Sequence, residues 1–103
     1  MNRALSTDLR YLEACTLIFF HTPTVENLEQ AIRAFHFLVG PSGESRYDEL
    51  TGRQRHLVNK RVETIMSRID MTNPITQQQV SECLRRAGSI GRVFAALSGL
   101  DAG

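Results

Sequence analysis

Apolar and polar residues alternate along this chain with the periods of helices. Leu5, Leu9, Leu12 and Phe19 fall on one stripe at helical spacing, with Cys15 and Thr16 beside it. The pattern predicts a first helix that begins near Ser6 or Thr7, either of which can cap, with Asp8 in its first turn, and that ends before Pro23. Val25, Leu28, Ile32, Phe35 and Val39 define the core stripe of a second helix, which Thr22 caps and Pro23 opens and which Gly40 and Pro41 stop. So short a link makes the pair an αα-hairpin.

The glycine, proline and serine of residues 40–46 predict a loop. A third helix starts between Tyr47 and Thr51 and runs to about Met71 on Val58, Val62, Ile65 and Ile69, a stripe widened by Leu57 and Met66. Asn73 and Pro74 end it. Thr76 is expected to cap a fourth helix that Gly88 terminates, and Ser89 a fifth that carries Ile90, Val93, Phe94, Leu97 and Leu100. No segment alternates with period two. The fold expected is all-α, a single domain over residues 1–103, a bundle of four to five helices starting with an αα-hairpin and with a frayed tail at 101–103.

The first helix departs from this picture in one respect. Its stretch ACTLIFF places apolar side chains all the way round, because Tyr11, Ala14 or Cys15, and Ile18 make a second stripe about 100° or more from the first, and Leu17 and Phe20 fill the space between. A surface helix needs only one apolar stripe. Either the other helices surround this one, or a second molecule covers the surplus. Periodicity leaves open which face lies inside.

Length and composition fit one folded domain: 103 residues, 42% hydrophobic and 22% charged. The net charge of +1 exerts no global pull toward nucleic acid or an anionic membrane, although residues 1–52 balance at −3 and residues 53–103 at +4. Asp8, Arg10 and Glu13 interrupt the first apolar run as no signal peptide would tolerate, and no window approaches the roughly 20 apolar residues of a membrane span. A cytoplasmic protein is expected.

Candidate chemistry is sparse. GPSGES at 40–45 resembles a phosphate-binding loop only in its glycines, since it lacks the Gly-Lys pair and follows a helix, not a strand. His21, His36 and His56 are scattered, Cys15 and Cys83 lack zinc-ligand spacing, and Cys15 sits in apolar surroundings that raise a thiol's pKa. Neither an enzyme nor a cofactor or metal is expected. Two segments could meet nucleic acid. Arg53, His56 and Lys60 share a helix face within 52–61, a face that reads more simply as solvated. Residues 75–100 have the helix, glycine turn, helix outline of a helix-turn-helix, with Arg85, Arg86 and Arg92 as the phosphate contacts. The second of those helices is poor in the polar side chains that read bases.

The surplus apolar surface points instead to protein contact. Tyr11, Ile18, Phe20 and Phe37 are the candidate protein-binding residues, Phe37 because it lies opposite the core stripe of its own helix. YLEACTLIFFHTPTVENLEQAIRAFHFLVGP, a short helical hairpin opening a small arginine-rich chain, resembles in layout the bacterial quorum-sensing antiactivators. That resemblance implies a small helical protein, often dimeric, that binds a LuxR-type receptor and blocks it. The expected function is a non-enzymatic, homodimeric regulator that sequesters a protein partner. A helix-turn-helix DNA-binding protein and a small secretion-type chaperone are the alternatives.

Overall fold

The computed structural model describes residues 5–38 and 49–99. Among these residues five helices make up an all-α bundle: α1 Leu5–His21, α2 Val25–Ala34, α3 Gly52–Ser67, α4 Pro74–Ala87 and α5 Ser89–Ser98, with a 3-10 turn Phe35–Phe37 continuing α2. No strand occurs among the described residues. Val39 and the loop expected at 40–46 lie outside them, as do Leu100 and the tail.

Most helix boundaries are fixed by caps one to three residues from those expected. Ser6 and Thr7 lie inside α1, so neither caps it. Thr24, not Thr22, caps α2: its hydroxyl accepts from the Asn27 amide at 3.2 Å, and the Asn27 side chain reaches back to donate to the Thr22 carbonyl at 2.8 Å. Pro23 therefore belongs to the link and not to the first turn. Thr51 and Gln54 form a reciprocal capping box on α3, each side chain accepting from the other's amide, an arrangement worth about 1 kcal/mol. Asn73 caps α4 by accepting from the amides of Ile75 and Thr76, and Pro74 sits at the first helical position, where its missing N–H costs nothing. Thr76 is thus already helical.

Helix α3 ends at Ser67, short of the expected Met71. Arg68 closes it, and Asp70 then folds the chain into a turn by accepting from the amide and hydroxyl of Thr72. Ile69 and Met71 still pack on the core from this non-helical segment, which explains why periodicity runs past the helix's end. Gly88 joins α4 to α5 at φ +65° and ψ −129°, a conformation that a side chain at this position would strain, so glycine and not Ser89 forms the junction.

Two cross-helix contacts give the direction of packing. Glu13 pairs with Arg61 at 3.1 Å, and seven residues further along both helices Phe20 meets Arg68. So α1 and α3 lie side by side and run the same way. α2 returns between them in sequence, against α1 on one side and α4 on the other, and α5 packs on α4, α3 and α2. Among the described helices α1 therefore stands at the edge of the bundle, with substantial packing only against α2 and α3. The arrangement in which other helices surround α1 is not the one adopted.

The core lies where the stripes meet. Leu12, Ile32, Phe35, Leu38, Val58, Val62, Ile65 and Phe94 are fully buried or nearly so. The rings of Phe35 and Phe94 meet edge to face at 5.4 Å between centroids, joining the end of α2 to α5. Thr16 is buried among them, and its hydroxyl is satisfied by donating to the Leu12 carbonyl at 2.7 Å.

Candidate functional site

Placing α1 at the edge decides which of its stripes is internal. Leu12, Cys15, Thr16 and Phe19 face the core, with Leu5 and Leu9 partly covered beside them. The opposite side is left to solvent with large apolar groups on it: Tyr11 is 36% exposed, Leu17 47%, Ile18 54% and Phe20 39%. Ala14 is exposed between them. The unburied half of Leu17 or Ile18 corresponds to about 1 kcal/mol of hydrophobic free energy each, available to whatever covers it.

The candidate residues do not form one patch. At about 100° per residue, Ile18 lies within a small rotation of Tyr11, whereas Phe20 lies half a turn away, on the side facing α3. There the Arg68 guanidinium stands 5.3 Å from the centroid of the Phe20 ring, and its Nε donates to the Phe20 carbonyl at 2.9 Å. His21 meets the same ring edge-on at 5.8 Å. The last turn of α1 is thus held to the end of α3. The side chain of Phe37 lies outside the described residues.

Leu17, which periodicity placed merely between two stripes, belongs to the outer face. Leu57, expected to widen the core stripe of α3, is instead 41% exposed. It flanks a shallow groove between α1 and α3, floored by Leu9, Leu12 and Val58 and rimmed by Arg10 and the Glu13–Arg61 pair. The signal that could have marked Leu57 as external is its neighbour: Val58 carries the buried stripe, and adjacent helical residues point about 100° apart. Ile75 is 70% exposed in the first turn of α4.

The arginines of the helix-turn-helix reading are differently occupied. Arg85 is bound to Glu82 and raises no free charge there, and Arg86 pairs with Glu29 of α2 at 2.9 Å. On α5, Ile90, Gly91, Phe94 and Ala95 are buried, which leaves Arg92 as the long polar side chain on the outward side. Arg53, His56 and Lys60 are exposed on α3, with Lys60 3.5 Å from Glu63.

The cysteines are buried and free. Burial pushes the Cys83 thiol up to about 11, with the nearby Glu29 carboxylate adding to the effect, and burial raises Cys15 against a smaller opposing hydrogen bond from Tyr11. A thiol nucleophile needs the opposite shift. The native chain is expected to resist a chromogenic thiol reagent at neutral pH and to react at both sites once denatured. Because the folded state holds the Cys83 proton more tightly than the unfolded chain, the associated stability is intact below pH 9.0 and is lost as pH rises through about 11. Urea midpoints measured across that interval, with Cys83→Ala as reference, read the loss directly.

Among the described residues no group of three His, Cys, Asp or Glu side chains is placed to hold a metal ion, and no helix is long and apolar enough to cross a membrane. No protein-family model matches the chain, and comparison with curated proteins and with solved structures gave no match.

Proposed function

We propose that this chain is a non-enzymatic, homodimeric regulator of the cytoplasm that binds a protein partner through the apolar outer surface of α1 and inhibits it. The observation that supports this reading is the exposure of Tyr11, Leu17, Ile18 and Phe20 on one helix of a bundle whose core is complete without them. Large apolar side chains left exposed on two sides of one short helix are surface that a partner can cover. The layout shared with quorum-sensing antiactivators selects the target class, a LuxR-type transcription regulator. No cofactor or metal enters the mechanism: the partner is captured by burial of apolar area and released by dilution or competition.

The test is a mobility-shift assay with a purified LuxR-type receptor on its operator DNA. Added chain is expected to remove the receptor–DNA complex without shifting DNA by itself, and Phe20→Asp, a change at the surface beside Arg68, is expected to lose this effect. An unaffected receptor complex rejects the target class. A salt-sensitive shift of DNA by the chain alone, abolished by replacing Arg92, selects the helix-turn-helix reading instead.

A further inference from the structure

Because α1 and α3 lie side by side and run the same way, their outward faces form one surface with a furrow between them. The Arg68–Phe20 contact sets the register: each α1 residue stands level with the α3 residue 48 positions further on, as Glu13 does with Arg61. Leu57 is thus level with Leu9, and beside it the surface sinks into a pocket of about 70 Å³ floored by Leu9, Leu12 and Val58. The pocket has room for one apolar side chain. Leu17 and Phe20, neighbours at i, i+3, make a second exposed apolar spot about two to three turns further along the same furrow.

Charge around the two spots is one-sided. Arg10 lines the pocket, and Arg53 and Lys60 share the Leu57 side of α3 at i−4 and i+3. Arg61 stands between the spots and Arg68 at the far end. Among the described residues Glu13 is the one carboxylate lining the furrow, already paired with Arg61, and Glu63 sits at the flank beside Lys60. Arg10, Arg53 and Arg68 form no ion pair among the described residues. The surface therefore carries uncompensated positive charge around apolar ground.

Resting on the reading of the outer surface of α1 as a contact surface for protein, we infer that the element it receives is an acidic amphipathic helix of a different protein, lying along the furrow between α1 and α3. Two parallel helical ridges with a groove between them seat a third helix. One apolar side chain of that helix enters the pocket beside Leu57, and others on the same face, at i+7 or i+8 and at i+11, cover Leu17 and Phe20. Acidic side chains flanking the stripe meet Arg10 and Arg53 at one end and Arg68 at the other. The span from Arg53 to Arg68 is about 22 Å, which a helix of about 15 residues covers. The same charges disfavour the other occupants. A second copy using this surface sets guanidinium against guanidinium, and a nucleic-acid backbone sets phosphate oxygens against Leu17, Phe20 and Leu57.

Fluorescence anisotropy with the full chain and a labelled peptide tests the proposal. The probe is a helical peptide of about 15 residues with leucine at i, i+4, i+7 and i+11 and glutamate on both flanks of that stripe. A second peptide carries lysine in place of the glutamate. The glutamate peptide is expected to bind in the micromolar range and the lysine peptide at least about 10-fold more weakly, the difference shrinking as salt rises from about 50 mM to about 500 mM. Leu57→Glu, and separately the double variant Arg10→Glu/Arg53→Glu, are each expected to weaken the glutamate peptide at least about 10-fold with helical circular dichroism unchanged. The arginine positions are exposed and keep the test decisive should Leu57→Glu lose helicity. Ile18→Asp, on the other side of α1, is expected to leave the peptide bound. Equal binding of the two peptides, no binding of either at hundreds of micromolar, or indifference to the substitutions overturns the proposal. So does a dimer that Leu57→Glu dissolves, or random-sequence duplex DNA that displaces the glutamate peptide. Receptor inhibition that survives Leu57→Glu but falls with Ile18→Asp rejects the furrow and keeps the regulator reading, whereas a bound acidic peptide with every receptor complex intact rejects the target class alone.

Discussion

Gly91→Ala is expected to lower the melting temperature by about 12 °C or more, a consequence of how closely α5 crosses α4. A Cβ at this position would stand 2.1 Å from the Leu84 carbonyl oxygen and 2.9 Å from its carbonyl carbon. Both atoms belong to the backbone of α4, which cannot turn aside as a flexible side chain would. The two helices must separate or Gly91 must shift, and overpacking of this kind costs about 3 kcal/mol at its upper end. Thermal denaturation followed by circular dichroism at 222 nm reads the change. A melting temperature within a few degrees of wild type would mean that α4 and α5 are not locked together at this crossing.

Phe94→Ala carries the second large effect. Phe94 is fully buried, and its ring meets Phe35 at 5.4 Å, so truncation removes a wall of the core where the turn after α2 meets α5. The cost is expected to be about 3–5 kcal/mol, against a total stability of about 5–15 kcal/mol for a domain of ordinary stability. Urea titration should show a midpoint lowered in proportion, with an unchanged slope if the denatured state is unaffected. A double-mutant cycle with Phe35→Ala should isolate a ring–ring coupling of about 0.5–1.5 kcal/mol. A cost under 1 kcal/mol for Phe94→Ala alone would place this ring outside the cooperative core.

Both predictions concern features that periodicity reveals unequally. Phe94 is legible in the sequence because it sits on the stripe of Ile90, Val93 and Leu97. The close approach at Gly91 is not, since a glycine within a helical pattern gives no sign of which backbone it touches. The same distinction runs through the rest of the fold. Leu28, Ile32 and Phe35 are buried as their spacing predicts, as are Val58, Val62 and Ile65. Capping residues were harder to place because several hydroxyl and amide side chains lie within two or three positions of each helix start. The choice among them is made by partners, Asn27 for Thr24 and Gln54 for Thr51, whose geometry exists only once the turn has formed. Leu57 departs from the place its spacing predicts for a related reason: it neighbours the buried stripe, and only the position of α1 decides whether the edge of that stripe is covered.

The candidate site was legible as a surplus and not as a place. Apolar residues all round α1 announce two surfaces, but choosing the internal one requires knowing that, among the described helices, α1 packs in strength against only α2 and α3. The ion pairs that join neighbouring helices, Glu13 with Arg61 and Glu29 with Arg86, were hidden for the same reason: their members are distant in sequence. These pairs are exposed enough to contribute little to stability, on the order of 0.2–1 kcal/mol each. Their larger consequence is positional. Together with the contact of Arg68 on Phe20, the Glu13–Arg61 pair ties α1 to α3 along its length, so that the outer face is presented by a fixed helix. A preorganised surface loses less conformational entropy when it binds.

The most direct test of the account is to ask whether the outer face of α1 meets other protein at all. Tagged wild-type chain and the variant Leu17→Ser/Ile18→Ser/Phe20→Ser, matched in helical circular dichroism, would be incubated with nuclease-treated bacterial lysate and washed at moderate salt. Retained protein would then be quantified by mass spectrometry. The account predicts a stoichiometric partner, either a second copy or a transcription regulator, on the wild type and its loss from the variant. Equal retention by both chains, with both folded, would contradict it.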